Sequence, residues 1–151
     1  MSITVNLKLG VLEKAQLDLT RQMEHAADLI AQEMRGNVKG GLDVHDMPLR
    51  ANKPSYAFAK MARLGHAKPL IADSQSLVTT SNYSITKVKM NHVRIGFVGQ
   101  HPKANMAIGQ LAYIHNYGLG KNPKREFAGV TSHALKRIMA YLNFEIRNLF
   151  K

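Results

Sequence analysis

The first forty residues carry two successive hydrophobic patterns. Residues 2–8 alternate between apolar and polar side chains, with Ile3 and Val5 on the apolar side, which predicts a half-buried strand. After Gly10 the apolar residues recur every three or four positions, as expected for one face of a long helix. They are Leu12, Ala15, Leu19, Met23, Ala26, Ile30 and Met34. Gly36 is predicted to end this helix, because glycine readily adopts the left-handed conformation that closes helices.

The next segment, residues 36–54, has no sustained hydrophobic period. Glycines and prolines punctuate it, namely Gly36, Gly40, Gly41, Pro48 and Pro54. A connection of this length within one domain is uncommon and is usually functional or disordered. Two interpretations stay open: a surface loop without fixed structure, or an arm that becomes ordered against a neighbouring chain.

Two short helical segments are predicted next. Ser55 has the right chemistry to cap a helix over 56–64, and Gly65 is predicted to end that helix. A single helical turn is predicted over 73–79, with an acidic or hydroxyl side chain as its cap.

Two alternating segments in the middle of the chain predict a β-hairpin. They span 83–89 and 92–98, and the pair Met90-Asn91 between them suits a tight turn. Ile85 and Val88 do not share parity in the first segment. We therefore expect a bulge or a change of register in that strand.

Two more helices are predicted in the last third of the chain. The first covers 106–117 and is broken at Gly118, where a glycine-rich loop begins. The second is the C-terminal helix, which Thr131 or Ser132 is predicted to cap. Its predicted buried stripe consists of Leu135, Ile138, Leu142, Ile146 and Leu149.

Together these elements predict an α+β fold in a single domain covering residues 1–151. We expect a small antiparallel sheet packed by the long N-terminal helix and the C-terminal helix, with long loops between elements. At 151 residues with 45% hydrophobic composition, the chain is long enough to bury a substantial core. It has no cysteine, which excludes disulfides, thiolate metal sites and cysteine nucleophiles. Neither a signal-peptide pattern nor a long apolar run is present, so we expect no association with a membrane.

Charge is distributed unevenly along the chain. The formal net charge is +11, from 21 basic and 10 acidic residues. Residues 1–46 hold seven acids and five bases, whereas residues 47–151 hold sixteen bases and three acids. Such asymmetry is typical of proteins that meet a polyanion or an acidic partner surface.

Candidate catalytic and metal-binding residues are few. The seven histidines are never closer than nine residues, so no two occupy one helix face as metal ligands. One interpretation is an HNH-type nuclease that uses His115-Asn116 with His133 and Glu126. The alternative is that His115 is a buried polar residue hydrogen-bonded to the backbone. No serine elbow or phosphate-binding glycine loop is present. The sequence therefore predicts no catalytic residue, no metal ligand and no cofactor site, and we expect a protein that is not an enzyme.

Four short motifs follow one another along the second half of the chain. They are Lys68–Leu77 with its Pro-Leu pair, the strand His92–Gly99, Tyr-Ile-His-Asn-Tyr-Gly at 113–118, and Pro-Lys-Arg-Glu-Phe-Ala-Gly at 123–129. Their order resembles that of the virion morphogenesis (tail-completion) family of tailed bacteriophages, the group that includes the Mu-type protein. The family's motifs read Pro-Leu then Thr-Gly-x-Leu, Val-x-Val-Gly, Tyr-Ala-x-Ile-His-x-x-Gly and Pro-x-Arg-x-Phe-Leu-Gly. Here Asp73-Ser74 replaces Thr-Gly, and the resemblance covers roughly residues 45–151.

Eight positions of this chain match residues of those motifs. They are Pro69, Leu70, Tyr113, His115, Gly118, Pro123, Arg125 and Phe127. The resemblance implies a structural virion protein of the head–tail junction, or neck, that forms a ring of its own copies, for which a hexamer is one size. It also implies synthesis in the host cytoplasm and contact with other virion proteins of the neck, connector or tail tube. Passing contact with DNA in the channel is a further expectation.

Basic loop residues are the candidate contacts with subunits or partners. With one aromatic residue, they are Arg50, Lys53, Lys103, Lys121, Lys124, Arg125 and Phe127. Arg125 follows a proline closely and suits a fixed contact with a partner carboxylate. Equally, Arg125 and Phe127 suit a pair within the domain that pins the loop. A basic nucleic-acid-binding protein, and more distantly an HNH-like nuclease, are the alternative functions.

Overall fold

The described residues form four helices and a three-stranded antiparallel sheet, which confirms the predicted α+β class. The computed structural model describes residues 2–4, 18–71 and 75–150. The elements are β1 (Ser2–Thr4), α1 (Thr20–Gly40), α2 (Pro54–Leu64), β2 (Tyr83–Lys89), β3 (His92–Phe97), α3 (Ile108–Tyr117) and α4 (Ser132–Leu149). A single 3-10 turn, Thr80–Asn82, leads into β2.

The sheet is built on the predicted hairpin. Strand β3 lies in the centre, with β1 and β2 on its two sides, both antiparallel to it. Asn91 occupies the turn with a φ of 56°, a conformation that asparagine tolerates better than most residues. The register shifts between Lys87 and Lys89, so the extra residue is Val88. This confirms the predicted irregularity in the first hairpin strand.

Helix α1 crosses the sheet and extends beyond its predicted end. Its buried face from Met23 to Met34 follows the predicted spacing, and the predicted positions before residue 18 lie outside the described residues. The prediction that Gly36 ends the helix is wrong, because the helix continues to Gly40 and closes at Gly41, with φ 74°. Asn37 and Val38 are buried, and their packing outweighs the cost of about 1 kcal/mol for an internal glycine.

The connection after α1 is shorter and more structured than predicted. Helix covers residues 36–40, and the rest folds back on itself through a bridge between Leu42 and Pro48. The Asp43 carboxylate accepts the N–H groups of His45 and Met47, and the side chain of Leu49 is buried. These bonds and the buried Leu49 hold the segment against its own chain, while residues 45–48 and Arg50 stay exposed.

Helix α2 begins at a proline rather than after a serine cap. It starts at Pro54, with Lys53 at the N-cap and no side-chain cap, so the prediction of Ser55 as cap is wrong. Proline suits the first helical position because its φ is already helical and its missing N–H has no partner there. Gly65 ends the helix with φ 71°, as predicted. The helical turn predicted over 73–79 falls partly on residues 72–74, outside the described residues.

The last two helices have the predicted caps. Helix α3 begins at Ile108, two residues later than predicted, and Gly118 ends it with φ 70°. Thr131 caps α4, and its hydroxyl oxygen accepts the N–H of Ala134 at 3.0 Å. The same hydroxyl donates to the Glu33 carboxylate on α1, so one side chain both caps α4 and joins it to α1.

The buried stripe of α4 differs from the predicted one. The structure buries Ala134, Ile138 and Leu142, while Leu135 and Leu149 are exposed and Ile146 is half-buried. The apolar residues of α4 cover a wider arc than its contact with α1 uses. Packing against α1 selects one edge of that arc, and the other edge faces outward.

The core lies between the sheet, α1 and α4. Helix α1 contacts β2 and β3 on one side and α4 on the other. The fully buried members with the largest side chains include Phe127, Leu19, Ile30, Met34, Ile95, Ile108, Ile138 and Leu142. Among the described helices, none is long and apolar enough to cross a lipid bilayer.

Candidate functional site

Two of the sequence motifs, 113–118 and 123–129, meet at the end of α3. The N–H of Arg125 donates to the carbonyl of His115 at 2.9 Å, and the N–H of Ala128 donates to the Asn116 side chain at 2.9 Å. Gly118 passes so close to the returning chain that a Cβ there would lie 2.6 Å from the Lys124 nitrogen. These motif residues therefore build one tight junction of backbone.

The guanidinium of Arg125 holds a distant loop in place. Its Nε donates to the carbonyl of Arg50 at 2.8 Å, and an Nη donates to the Asn52 side chain at 3.0 Å and more weakly to the carbonyl of Ala51 at 3.3 Å. The residue is only 5% exposed. Arg125 is therefore not available to a partner carboxylate, which corrects that part of the predicted interface, and the intradomain alternative is the one realised.

Phe127 was also predicted to lie in the candidate interface, but it is not at the surface. It is fully buried, and its ring stands edge-on to Phe97 of β3 with centroids 6.2 Å apart. An aromatic side chain in this position anchors the 123–129 loop in the core. The motif pair Arg125 and Phe127 thus fixes the loop from two sides.

The structure brings together some of the predicted basic residues and separates others. Arg50, Lys53 and Lys121 line one cavity. Lys124 lies outside its lining and is paired with Glu126, at 2.7 Å between Nζ and Oε1. Lys103 is exposed and also lies outside the lining.

We call the space that these three residues share the basic cavity. It has a volume of about 800 Å³ and lies between the 50–53 loop, the first half of α2, α3 and the 120–125 loop. Its cationic lining residues are Arg50, Lys53, Lys60, Lys121 and Arg125, and its apolar lining includes Leu70, Leu77 and Leu111. No carboxylate belongs to the lining among the residues that the structure describes.

One lining residue of the basic cavity, Lys60, had no signal in the sequence. Lys60 looks like an ordinary surface lysine of a helix, yet it is 2% exposed, and its Nζ donates to the carbonyl of Lys68. The ammonium also lies over the Tyr56 ring, 5.9 Å from its centroid. Only the turn at Leu70, with a φ of 62°, places the Lys68 carbonyl and the Leu70 side chain beside α2.

His115 lies in the wall of the basic cavity as a neutral imidazole. Burial, followed by the charges of Arg125 and Lys60, lowers its pKa from 6.5 to about 4. Its Nδ1 is buried without a hydrogen-bond partner in the described part of the chain. Burial, then the charge of Arg50, also lowers the pKa of the Arg125 guanidinium. Positive charge is thus concentrated in a partly desolvated space.

The residues considered for a nuclease are not brought together. His133 borders a different cavity, beside Glu33 and Arg137, whereas His115 lines the basic cavity. Glu126 is engaged by Lys124. Within the described residues, no group of three histidine or acidic side chains has the geometry to hold a metal ion.

Three of the described helices, α2, α3 and α4, expose large apolar or aromatic side chains. On α4, Leu135, Met139, Ile146 and Leu149 lie along one face, which we call the outer face of α4; all but the half-buried Ile146 are exposed. On α2, Tyr56, Phe58 and Met61 are exposed, and Phe58 reaches 80%. Tyr113 of the third motif is exposed too and stacks against Tyr117 with centroids 4.8 Å apart. Clustered apolar exposure of this kind marks interaction surfaces.

Similarity to known proteins adds no further constraint on these sites. A scan against protein-family models, a search of curated proteins and a search of solved structures gave no match. The features on which a functional proposal can be based are therefore the basic cavity, the outer face of α4 and the exposed aromatic residues of α2.

Proposed function

We propose that this chain is a structural protein of the head–tail junction in a tailed-phage virion, where copies of it assemble into a ring. The four sequence motifs motivate the proposal. The observation that carries it is the apolar exposure on two different helices, the outer face of α4 and the aromatic residues of α2. A ring requires two unlike surfaces on each subunit, because head-to-tail contacts join one surface to the other.

The roles of the motif residues support a structural protein. Gly118 allows the close backbone approach at the end of α3. Arg125 anchors the 50–52 loop, and Phe127 packs in the core. His115 contributes its carbonyl to the same junction. These roles stabilise a scaffold that displays surfaces, which is what an assembly subunit needs.

The outer face of α4 offers apolar area that can contribute to association. Burying the exposed half of Leu135, Met139 or Leu149 contributes about 1 kcal/mol for each side chain. The lysine and arginine residues around this face, such as Lys136 and Arg147, keep it soluble before assembly. We therefore expect subunit contacts to include this face.

The first test is the mass of the purified protein in solution. We expect a particle several times heavier than the 16.8 kDa chain, by light scattering coupled to size exclusion. The double variant L135S/M139S should shift the mass toward one chain while the far-ultraviolet circular dichroism stays unchanged. K136S, an exposed polar position on the same helix, is the matched control. A wild-type protein that remains a single chain at all concentrations, and is absent from purified particles, would contradict the proposal.

The second test uses a phage or prophage that encodes the chain. Deleting the gene should leave full heads and finished tails that do not join, as seen by electron microscopy. Expression of the wild-type chain or of K136S should restore joined particles, and L135S/M139S should not. Tails of the wrong length would instead indicate a protein that terminates tail growth.

A nucleic-acid-binding protein is the second candidate, and the observation that favours it is the net charge of +11. Binding through phosphates would weaken steeply as salt increases. DNA is therefore included as a competitor in the binding experiment described next.

A further inference from the structure

Several cations of the basic cavity have no acidic partner among the residues that the structure describes. The three hydrogen-bond acceptors of Arg125 are neutral: two backbone carbonyls and an amide side chain. Arg50, Lys53 and Lys121 are exposed and have no ion-pair partner among the described residues. Four cations thus face one space without a described counter-charge, and their mutual repulsion is reduced if an anion enters.

The volume and the lining of the cavity indicate which kind of anion fits into it. A volume of about 800 Å³ lies within the range of pockets that hold a ligand or a short peptide segment. Leu70 and Leu111 add apolar side chains to the same lining. A DNA duplex presents phosphates on a convex surface, and its thymine methyl groups lie within the major groove, away from those phosphates. An acidic peptide has both carboxylates and apolar side chains.

The loop that carries two of the charges is held rigidly. Arg125 binds the carbonyls of Arg50 and Ala51 and the side chain of Asn52, and Lys53 lies at the N-cap of α2, where the helix dipole is positive. The backbone that carries Arg50 and Lys53 is therefore held in place before binding, which lowers the entropy that is lost when a partner binds.

We propose that the basic cavity binds an acidic peptide segment of a protein partner. Aspartate or glutamate carboxylates lie between the Arg50 guanidinium and the ammonium groups of Lys53 and Lys121. An apolar side chain of the segment packs against Leu70 and Leu111. Arg125 acts as a positioning residue for the 50–52 loop. The inference goes beyond the assignment to a head–tail junction and does not require it.

The test measures binding of two labelled dodecapeptides by fluorescence anisotropy. One alternates glutamate with leucine, and the other replaces every glutamate by glutamine. We expect the wild-type protein to bind the first peptide at least about tenfold more tightly than the second. The variant K53E/K121E should lose at least about tenfold in affinity for the glutamate peptide.

A matched variant separates the cavity from the overall charge. K136E/R147E changes the net charge by the same amount at exposed positions of α4, and it should keep most of the wild-type affinity. K53Q/K121Q repeats the test with a smaller electrostatic change, and thermal unfolding of every variant confirms that each is folded. Equal losses in K53E/K121E and K136E/R147E would overturn the proposal, as would equal binding of the two peptides.

A DNA duplex and a single-stranded oligonucleotide serve as competitors. If either displaces the glutamate peptide and its own binding is lost in K53E/K121E but not in K136E/R147E, the cavity is a nucleic-acid site and the proposal is wrong. K53E/K121E and K53Q/K121Q leave α4 unchanged, so failure of the peptide experiment is distinguishable from failure of the ring proposal.

Discussion

Gly118 is a position at which the fold does not tolerate an added side chain. Its φ of 70° disfavours any Cβ, and a Cβ would also lie 2.6 Å from the Lys124 nitrogen and 2.8 Å from the Lys124 Cα. We expect G118A to lower the free energy of unfolding by more than about 2 kcal/mol, since both a strained backbone and a backbone clash must be relieved. Urea denaturation measures the change.

Gly120 provides a matched control for that substitution. It has a similar φ of 67°, but nothing lies within 4 Å of the position of its Cβ. G120A should therefore cost only the conformational term, about 1 kcal/mol. If the two variants are equally stable, the close approach at Gly118 does not contribute.

At the scale of elements, one side chain ties the hairpin to α1. The side-chain oxygen Oδ1 of Asn91 accepts the backbone N–H of Leu19 at 2.6 Å. The backbone N–H of Asn91 donates to the Thr20 hydroxyl at 3.3 Å. Asn91 thus joins the turn of one element to the first residues of another, which are 72 positions away in the chain.

Substitutions at Asn91 separate its two roles. N91A removes the acceptor and leaves an alanine at a φ of 56°, a conformation that asparagine tolerates better, so we expect a loss of about 2 kcal/mol in the free energy of unfolding. N91G also removes the acceptor, but glycine adopts this φ without strain, so it should cost about 1 kcal/mol, while N91D keeps an acceptor and should remain close to the wild type. Urea denaturation of the three variants is the measurement, and an N91G variant as stable as the wild type would show that the link contributes nothing.

The elements themselves were predictable because their signals are local. The 3.6-residue period of α1, the alternation of the hairpin, and the glycine stops at Gly65 and Gly118 all act within a few residues. The end of α1 and the buried side of α4 were not, because each depends on what packs against the helix. Gly36 stays helical through the burial of its neighbours in the core.

For the whole molecule, the buried imidazole of His115 makes stability depend on pH. Its pKa in the folded protein is about 4, against 6.5 in the unfolded chain, so the folded state binds fewer protons between these values. The free energy of unfolding should therefore fall as pH decreases from 6.5 to 4, by about 2–3 kcal/mol from this residue.

The variant H115Q isolates that contribution, because glutamine does not titrate in this range. We expect the free energy of unfolding of H115Q to change less with pH than that of the wild type, whatever its value at pH 7. H133Q is the control, since His133 is exposed and stays hydrated. Denaturation curves across the range measure the slopes, and parallel curves for H115Q and the wild type would disprove the assignment.

The candidate site could be predicted only in part. The basic character of Arg50, Lys53 and Lys121 was evident from composition and loop position. Their convergence on one cavity was not, because the segment formed by the 50–53 loop and α2 is distant in sequence from the 120–125 loop. Arg125 was equally consistent with an outward or an inward contact until its three acceptors were located.

The amino-acid sequence by itself determined the type and order of most elements, the α+β class and the excess of positive charge in the rear of the chain. Hydrophobic period, caps and net charge are local or additive properties, so they can be computed without knowing which segments meet. Only the tertiary structure decided that Arg125 reaches a loop 75 residues earlier and that Lys60 is buried. It also decided that α4 exposes one edge of its apolar arc, because the burial of a side chain depends on which long-range contacts form when all of the elements pack together.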